Sequence, residues 1–373
     1  MKVCFLGDIR SLHTRRWVGF FAGKHQTHLI SFDYPEDGDR VRDGENYFAE
    51  LGVTIHKINK TVPALLISPL IARKIIKKMK PDIVHAHFIT QYGFFGAVSG
   101  NHPLVITAWG DDVLIHPARS VFYRFMVRHV LSKADLITCD GENTEKAMIK
   151  LGADSSKIRR IYFGVDTKKF SPGKADRNLF NSRFGPKDAK YVIFLRGFDP
   201  IYSAGTLIEA IPLVLAKMPR TKFLLAGGGD QLESIKQNVE GSGFKDAVYF
   251  LGWIPNDELP LYIATSDVYV STSLSDSGIA ASTAEAMACG IPAVSTECGD
   301  IRLWIEDGVN GYVIEKKNPV MLADRVVSLL KDDTLRKQFG AQCRDIIVSK
   351  QDYYTEMDKM DGIYTQLVGE KRT

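Results

Sequence analysis

At 373 residues and 41.6 kDa the chain has room for two or three domains, since one typically takes about 100–200 residues. Its 45% hydrophobic and 25% charged residues exclude disordered, fibrous and disulfide-scaffold classes, and five cysteines without a C-x-x-C spacing argue against structural zinc and for a reducing compartment. The net charge of +4 hides an asymmetry, because residues 1–176 hold 26 Lys+Arg against 18 Asp+Glu and the remainder 22 against 26. A basic first half attracts phosphates, anionic lipid or nucleic acid, or is simply a solvated face.

The chain opens on the strand KVCFLG (2–7), an apolar run too short for a signal peptide, and nothing downstream approaches 18 consecutive apolar residues. A cytoplasmic protein is expected. GDIRSLHTRRW (7–17) follows, with Gly7 allowing a tight turn at the strand end where α/β sheets bind ligands. It is not G-x-G-x-x-G, so dinucleotide binding is not supported. Asp8, Ser11, His13, Arg15 and Arg16 are candidates on the acceptor side, with Arg15 or Arg16 offered to an acceptor phosphate; the alternative is solvated surface.

HLISF (28–32), IVHAHF (83–88), LVITAW (104–109) and DLITCD (135–140) are the next strands. His85 and His87 share a face by the two-residue period. Two histidines can begin a metal site, but without a third ligand the expectation is a pair of buried, hydrogen-bonded side chains and no metal. TAWGDDV (107–113) brings Trp109, Asp111 and Asp112 to a strand end, as sugar-binding groups or as a turn with a helix cap. The segments 71–80 (IARKIIKKMK) and 118–135 (ARSVFYRFMVRHVLSKAD) are basic and amphipathic, fit for a core or for peripheral contact with an anionic membrane. No nucleic-acid recognition module is visible, and nucleic acid is not expected as a partner.

Residues 166–190 are rich in Lys, Asp, Asn, Gly and Pro, and an interdomain linker is expected there. YVIFLR, KFLLAG, AVYFLG, VYVSTS and IPAVST then restart the rhythm of strands apolar on both faces alternating with helices, which reads as a second parallel sheet. The expected architecture is α/β: two Rossmann-like domains with parallel sheets facing across a cleft, 1–170 with a returning C-terminal helix at about 354–373, and 171–353.

Residues 273–296, SLSDSGIAASTAEAMACGIPAVST, read as a strand end, a small-residue turn, a helix stopped by Gly290 and another strand. Small residues leave backbone N–H groups open at a helix start, where the dipole favours an anion such as a diphosphate. The E-A-M-A-x-G-x-P-x-V pattern from Glu285 to Val294 resembles that of the retaining family-4 glycosyltransferases of the GT-B fold (glycosyl transferases group 1). AGGGD (226–230), YFLGWIPNDELPLYIATSDVYVSTS (249–273), GVDTKKF (164–170) and IEDGVNGYVI (305–314) follow in the family's order.

The resemblance implies a hexosyltransferase that takes a UDP-, GDP- or ADP-linked sugar to a glycan, lipid-linked or small acceptor; no D-x-D metal motif is evident in context, so no metal or cofactor is expected. It implies that Arg196 neutralises the donor diphosphate, that Glu285 holds the ribose, and that Trp253 and Ile254 present backbone to the base. Tyr202, Ser203, Gly228, Gly229, Asp276, Ser277, Gly278 and Ile279 complete the expected donor site, with Asp111 catalytic beside Arg196 and Glu285; Gly7, His87 and Trp109 join the acceptor side. Three departures stand out: Ala204 where a lysine is expected before Gly205, Ser277 where a glutamate is expected eight residues before Glu285, and Trp109 at a common histidine position. They leave open a weak or inactive nucleotide-sugar-binding paralogue, and more remotely a nonhydrolysing sugar-nucleotide epimerase.

Overall fold

The computed structural model describes residues 1–59 and 62–372. Seven strands form the first sheet: β1 (Lys2–Leu6), β2 (Gln26–Phe32), β3 (Thr54–Ile58), β4 (Ile83–His87), β5 (Leu104–Thr107), β6 (Leu136–Cys139) and β7 (Ile158–Arg160), in the order β3-β2-β1-β4-β5-β6-β7. Six form the second: β8 (Lys190–Phe194), β9 (Thr221–Ala226), β10 (Val248–Gly252), β11 (Val268–Ser271), β12 (Ala293–Thr296) and β13 (Gly311–Ile314), in the order β10-β9-β8-β11-β12-β13. Every pairing described is parallel. Both sheets are therefore the doubly wound, Rossmann-like arrangement expected from the sequence. Three of these strands were not legible as such, and all three are sheet edges. β3 (TIHKI) and β7 (IRR) carry polar residues on a half-solvated face, where the continuous apolar run of a buried strand is lacking.

The chain divides into two compact units, residues 1–163 with 354–373, and residues 164–353. The boundary falls ahead of the expected 170/171, and the supposed linker is packed structure. Val165 N–H donates to the Gln351 carbonyl (2.8 Å), Tyr353 N–H donates back to Val165 (2.9 Å), and Arg344 donates to the carbonyls of Thr167 and Phe170 (3.3 and 3.2 Å). The polar composition at 176–190 serves a capped helix, Arg177–Phe184: Asp176 accepts from Leu179 N–H, and Arg177 reaches Asp267 at 2.8 Å. Polar residues that cap and pair look, in sequence, like polar residues of a linker.

In the first unit the crossovers β3 to β4, β4 to β5 and β5 to β6 all advance the same way across the sheet. Right-handedness therefore puts the helices Val62–Met79, Phe94–Ser99 and Val121–Lys133 on one face, and the first and third both pack against the second. The helix Leu12–Ala22 covers the opposite face. There the C-terminal helix Tyr353–Arg372 joins it, burying Met357, Met360 and Tyr364 completely. The Tyr364 hydroxyl bonds His85 Nδ1, and Lys24 and His25 reach Asp358 and Asp361 at 2.6 Å each. Residues 118–135 are not one continuous helix: Ser120 is extended, and its hydroxyl accepts from Phe122 N–H to start the helix Val121–Lys133.

Candidate functional site

In the second unit, β8 lies between β9 and β11, so the crossovers leave it in opposite directions and open the sheet at its C-terminal end. Arg196 stands there, with its side chain only 13% exposed. Its Nε donates to Ser273 Oγ (2.9 Å), its guanidinium is ion-paired with Asp276, and the Tyr202 ring lies 4.8 Å from its central carbon. Cys298 Sγ donates to the other Asp276 oxygen at 3.5 Å. Burial pushes the Asp276 carboxyl above its usual range, while Arg196, Cys298 and Ser273 pull it back. Desolvation opposes the Arg196 charge, and Asp276 together with Tyr269, Tyr202 and Cys298 more than restores it. The expected cation and the expected carboxylate thus sit together, each neutralising the other.

The loops around this pair interlock through glycine backbones. Phe198 N–H donates to the Gly228 carbonyl (2.9 Å), Gln231 N–H to Phe198 (2.9 Å) and Asp230 N–H to Asp199 Oδ1 (3.0 Å). A Cβ on Gly229, whose φ is +146°, would stand 2.5 Å from the Phe198 carbonyl carbon, so no side chain fits. Gly299 does the same for the small-residue turn: a Cβ there would lie 2.4 Å from the Gly278 carbonyl. Beyond that turn Ile279 is buried and the helix Ala281–Ala288 begins at Ala280, which offers no side-chain cap. Glu285 is buried one turn in. Arg344 caps the far end through the Ala288 carbonyl, and Gly340 lets the helix Asp333–Lys350 approach backbone to backbone. At the end of the edge strand β10, Trp253 is 86% exposed and Ile254 buried. Tyr202 and Ser203 are held by Thr272 and Leu274, which donate to the Tyr202 and Ile201 carbonyls at 2.8 Å each.

In the first unit the ends of β1, β4 and β5 enclose a pocket of about 350 Å³ lined by Asp8, His13, Thr14, His87, Trp109 and Asp111, with Ser11, Phe88, Gln91 and Tyr92 completing it. Gly7 packs against Thr14 and His87, where a Cβ would come within 3.0 Å of the threonine hydroxyl. His13 stacks on Trp109 at 4.3 Å and meets Phe163 edge-on at 4.6 Å. Burial, reinforced by the Arg16 charge, pushes His13 down to about 4; burial and then His13 push His87 to about 3. Both imidazoles are neutral at pH 7 and present hydrogen-bonding edges without charge.

The sequence expected both strand histidines to be hydrogen-bonded, and only one is. His85 bonds Tyr364 and Thr107 Oγ1 (2.6 Å), whereas both ring nitrogens of His87 are buried without a partner, as are His13 Nδ1 and Trp17 Nε1. Leaving such atoms unmatched costs about 1–3 kcal/mol each, so they mark a place built for a partner. Arg15 and Arg16 do not line this pocket. Arg15 donates to the Arg40 and Ile9 carbonyls (3.0 and 3.4 Å), Arg16 lies 4.0 Å over the Phe163 ring, and Asp8 is paired with Arg10 at 2.8 Å. Two carboxylates, neutral imidazoles and aromatic faces suit sugar hydroxyls, so the expected acceptor phosphate has no cation waiting for it here.

Asp111 is exposed at the pocket wall, while Asp112 is fully buried and accepts from Ile89, Trp109 and Gly110 N–H at 2.7, 3.1 and 3.1 Å. Burial pushes Asp112 up to about 6 against those bonds. It shapes the Trp109 loop and does not meet solvent. Sequence reading did not single out Ser273, Cys298 or Gly299 around Arg196, nor Phe163 beside His13. Phe163 had a signal in its place immediately before GVDTKKF, and Ser273 in opening the 273–296 stretch. Among the described residues no group of three or more His, Cys, Asp or Glu is placed to hold a metal ion.

The sequence model for glycosyl transferases group 1 matches residues 176–345, and that for glycosyl transferase 4-like proteins matches residues 2–141. N-acetyl-alpha-D-glucosaminyl L-malate synthase of Bacillus anthracis is 24% identical over 330 residues, 87% of this chain and 84% of the relative. UDP-Gal:alpha-D-GlcNAc-diphosphoundecaprenol alpha-1,3-galactosyltransferase of Escherichia coli is 26% identical over 313 residues, 80% of this chain and 79% of the relative. Among solved structures, HepE of Anabaena in complex with UDP superposes with a TM-score of 0.83 at 19% identity, covering 98% of this chain and 100% of that one.

Proposed function

Because the chain belongs to the family-4 glycosyltransferases of the GT-B fold, we propose that it transfers a hexosyl group from a nucleotide-sugar donor to a hydroxyl of a glycan, lipid-linked or small-molecule acceptor, with retention of configuration. The donor belongs to the second unit and the acceptor to the first. The observation that carries this reading is the largely buried Arg196 at the end of β8, paired with Asp276 of the small-residue turn that leads into the uncapped start of the helix Ala281–Ala288. There a guanidinium and helix-start amides can stabilise the charge that develops as the nucleoside diphosphate leaves. Glu285 takes the ribose, backbone at Trp253 and Ile254 the base, and the Gly228–Gly229 turn the close approach of the donor. No step in this reading needs a metal.

Uridine is the proposed base, supported by one relative named with UDP-galactose and one structural neighbour solved with UDP, and guanosine is the alternative, since other relatives are named GDP-mannose-dependent. A ligand that binds only the folded protein stabilises it by about 2.7 kcal/mol at a hundred times its Kd. Nucleotides and nucleotide-sugars of one base only are therefore expected to raise the melting temperature in EDTA, those of uridine on this reading and those of guanosine on the alternative. Absence of any nucleotide shift in a well-folded sample would sink the reading.

One observation favours a second reading, a weak or inactive nucleotide-sugar-binding paralogue. Asp276 already occupies Arg196, and Ala204 is buried where the second cation is expected. That reading gives the same thermal shift but neither donor hydrolysis nor transfer.

A further inference from the structure

The helix Val121–Lys133 buries Val127, Val130 and Leu131, yet its first five residues are all exposed, with Val121 at 79%, Phe122 at 66% and Phe125 at 72%. Phe125 lines an open hollow with Val121, Arg124, Arg128, His129 and Ser132, residues spaced three and four apart along one side of the helix. On the same face of the sheet the helix Val62–Met79 exposes Ile67 and Leu70, followed by Arg73, Lys74, Lys77 and Lys78. Residues 62–80 and 118–133 together hold nine Lys or Arg and not one Asp or Glu. A solvated basic face has no use for exposed phenylalanines, and an apolar docking site for a neutral partner has no use for nine cations.

We propose that this face docks the protein on an anionic lipid surface. Phe122, Phe125, Ile67 and Leu70 enter the boundary between headgroups and acyl chains, and the basic residues meet the lipid phosphates. Among the described residues no helix is long and apolar enough to cross a membrane, so contact here is with the surface. The inference is independent of the donor chemistry in the second unit, because it rests on the outer surface of two helices in the first.

Flotation of the full chain with vesicles tests it. Binding is expected to vesicles containing about one-third phosphatidylglycerol, weakly or not at all to pure phosphatidylcholine, and to fall steeply with added salt. Removing both rings, Phe122→Ser with Phe125→Ser, is expected to lower partitioning at least about tenfold, since each buried ring contributes a large apolar area. Arg124→Glu with Arg128→Glu is expected to abolish the preference for anionic lipid. These side chains are exposed, so both variants should keep the parent melting temperature. No binding to either vesicle by folded protein, binding that the variants leave unchanged, or self-association lost in the Phe122/Phe125 variant would each overturn the proposal, the last by assigning the face to a second copy of this chain.

Discussion

Arg196→Ala is expected to lower sugar transfer by at least about a hundredfold, the scale on which losing one preorganised charge stabiliser slows an enzyme. It is also expected to cost about 3 kcal/mol of stability, the lower end for breaking a buried pair, because both side chains keep a thin solvent edge. With the guanidinium gone, burial is left as the main influence on Asp276, and its carboxyl rises further. A carboxyl raised in the folded state contributes stability at low pH that is lost as pH rises through its folded value. The variant should therefore regain stability on acidification from pH 7 more than the parent does.

Asp276→Asn then separates the two functional readings. If Asp276 only orients Arg196, the amide oxygen still accepts the bond and nucleotide affinity barely moves. If Asp276 stands in for the diphosphate, the variant binds UDP more tightly. Calorimetric titration of UDP into parent and variant distinguishes them, and neither result depends on knowing the acceptor.

Arg196 and Asp276 were each placed by their distance from a motif, but 80 residues separate them, and no spacing rule says that they meet. Ser273, which opens the 273–296 stretch, and Cys298, which no local pattern announces, complete the cluster. The histidines of β4 show the same limit more sharply. His85 and His87 have identical periodicity and near-identical neighbours. Tyr364, arriving from the C-terminal helix, satisfies one of them and no described residue satisfies the other. The sheets were legible because their central strands are apolar on both faces, a property of the strand alone. The edges β3 and β7, the packed segment after residue 163 and the pairing of side chains depend on what lies across space from them.

Ala204→Lys carries the second large effect, and its direction is opposite to what family resemblance suggests. A lysine at this position would be expected to add a cation for the diphosphate. Yet Ala204 is completely buried at the first turn of the helix Ala204–Lys217, packed in the core with Phe198, Leu207 and Ile208. Ser203 enters that turn at φ +47°, a left-handed conformation held by the bonds of Thr272 and Leu274 to the preceding carbonyls. Three further methylenes and an ammonium have no room there, and burying an unpaired charge together with the overpacking should cost about 3–5 kcal/mol. At about 2–4 °C per kcal/mol for a unit of this size, the melting temperature is expected to fall by roughly 10 °C. If instead the variant melts like the parent and binds UDP more tightly, the lysine has snorkelled to the site and the loop is free to rearrange. The present burial of Ala204 would then be one of two accessible conformations, and the missing cation a matter of sequence rather than of space.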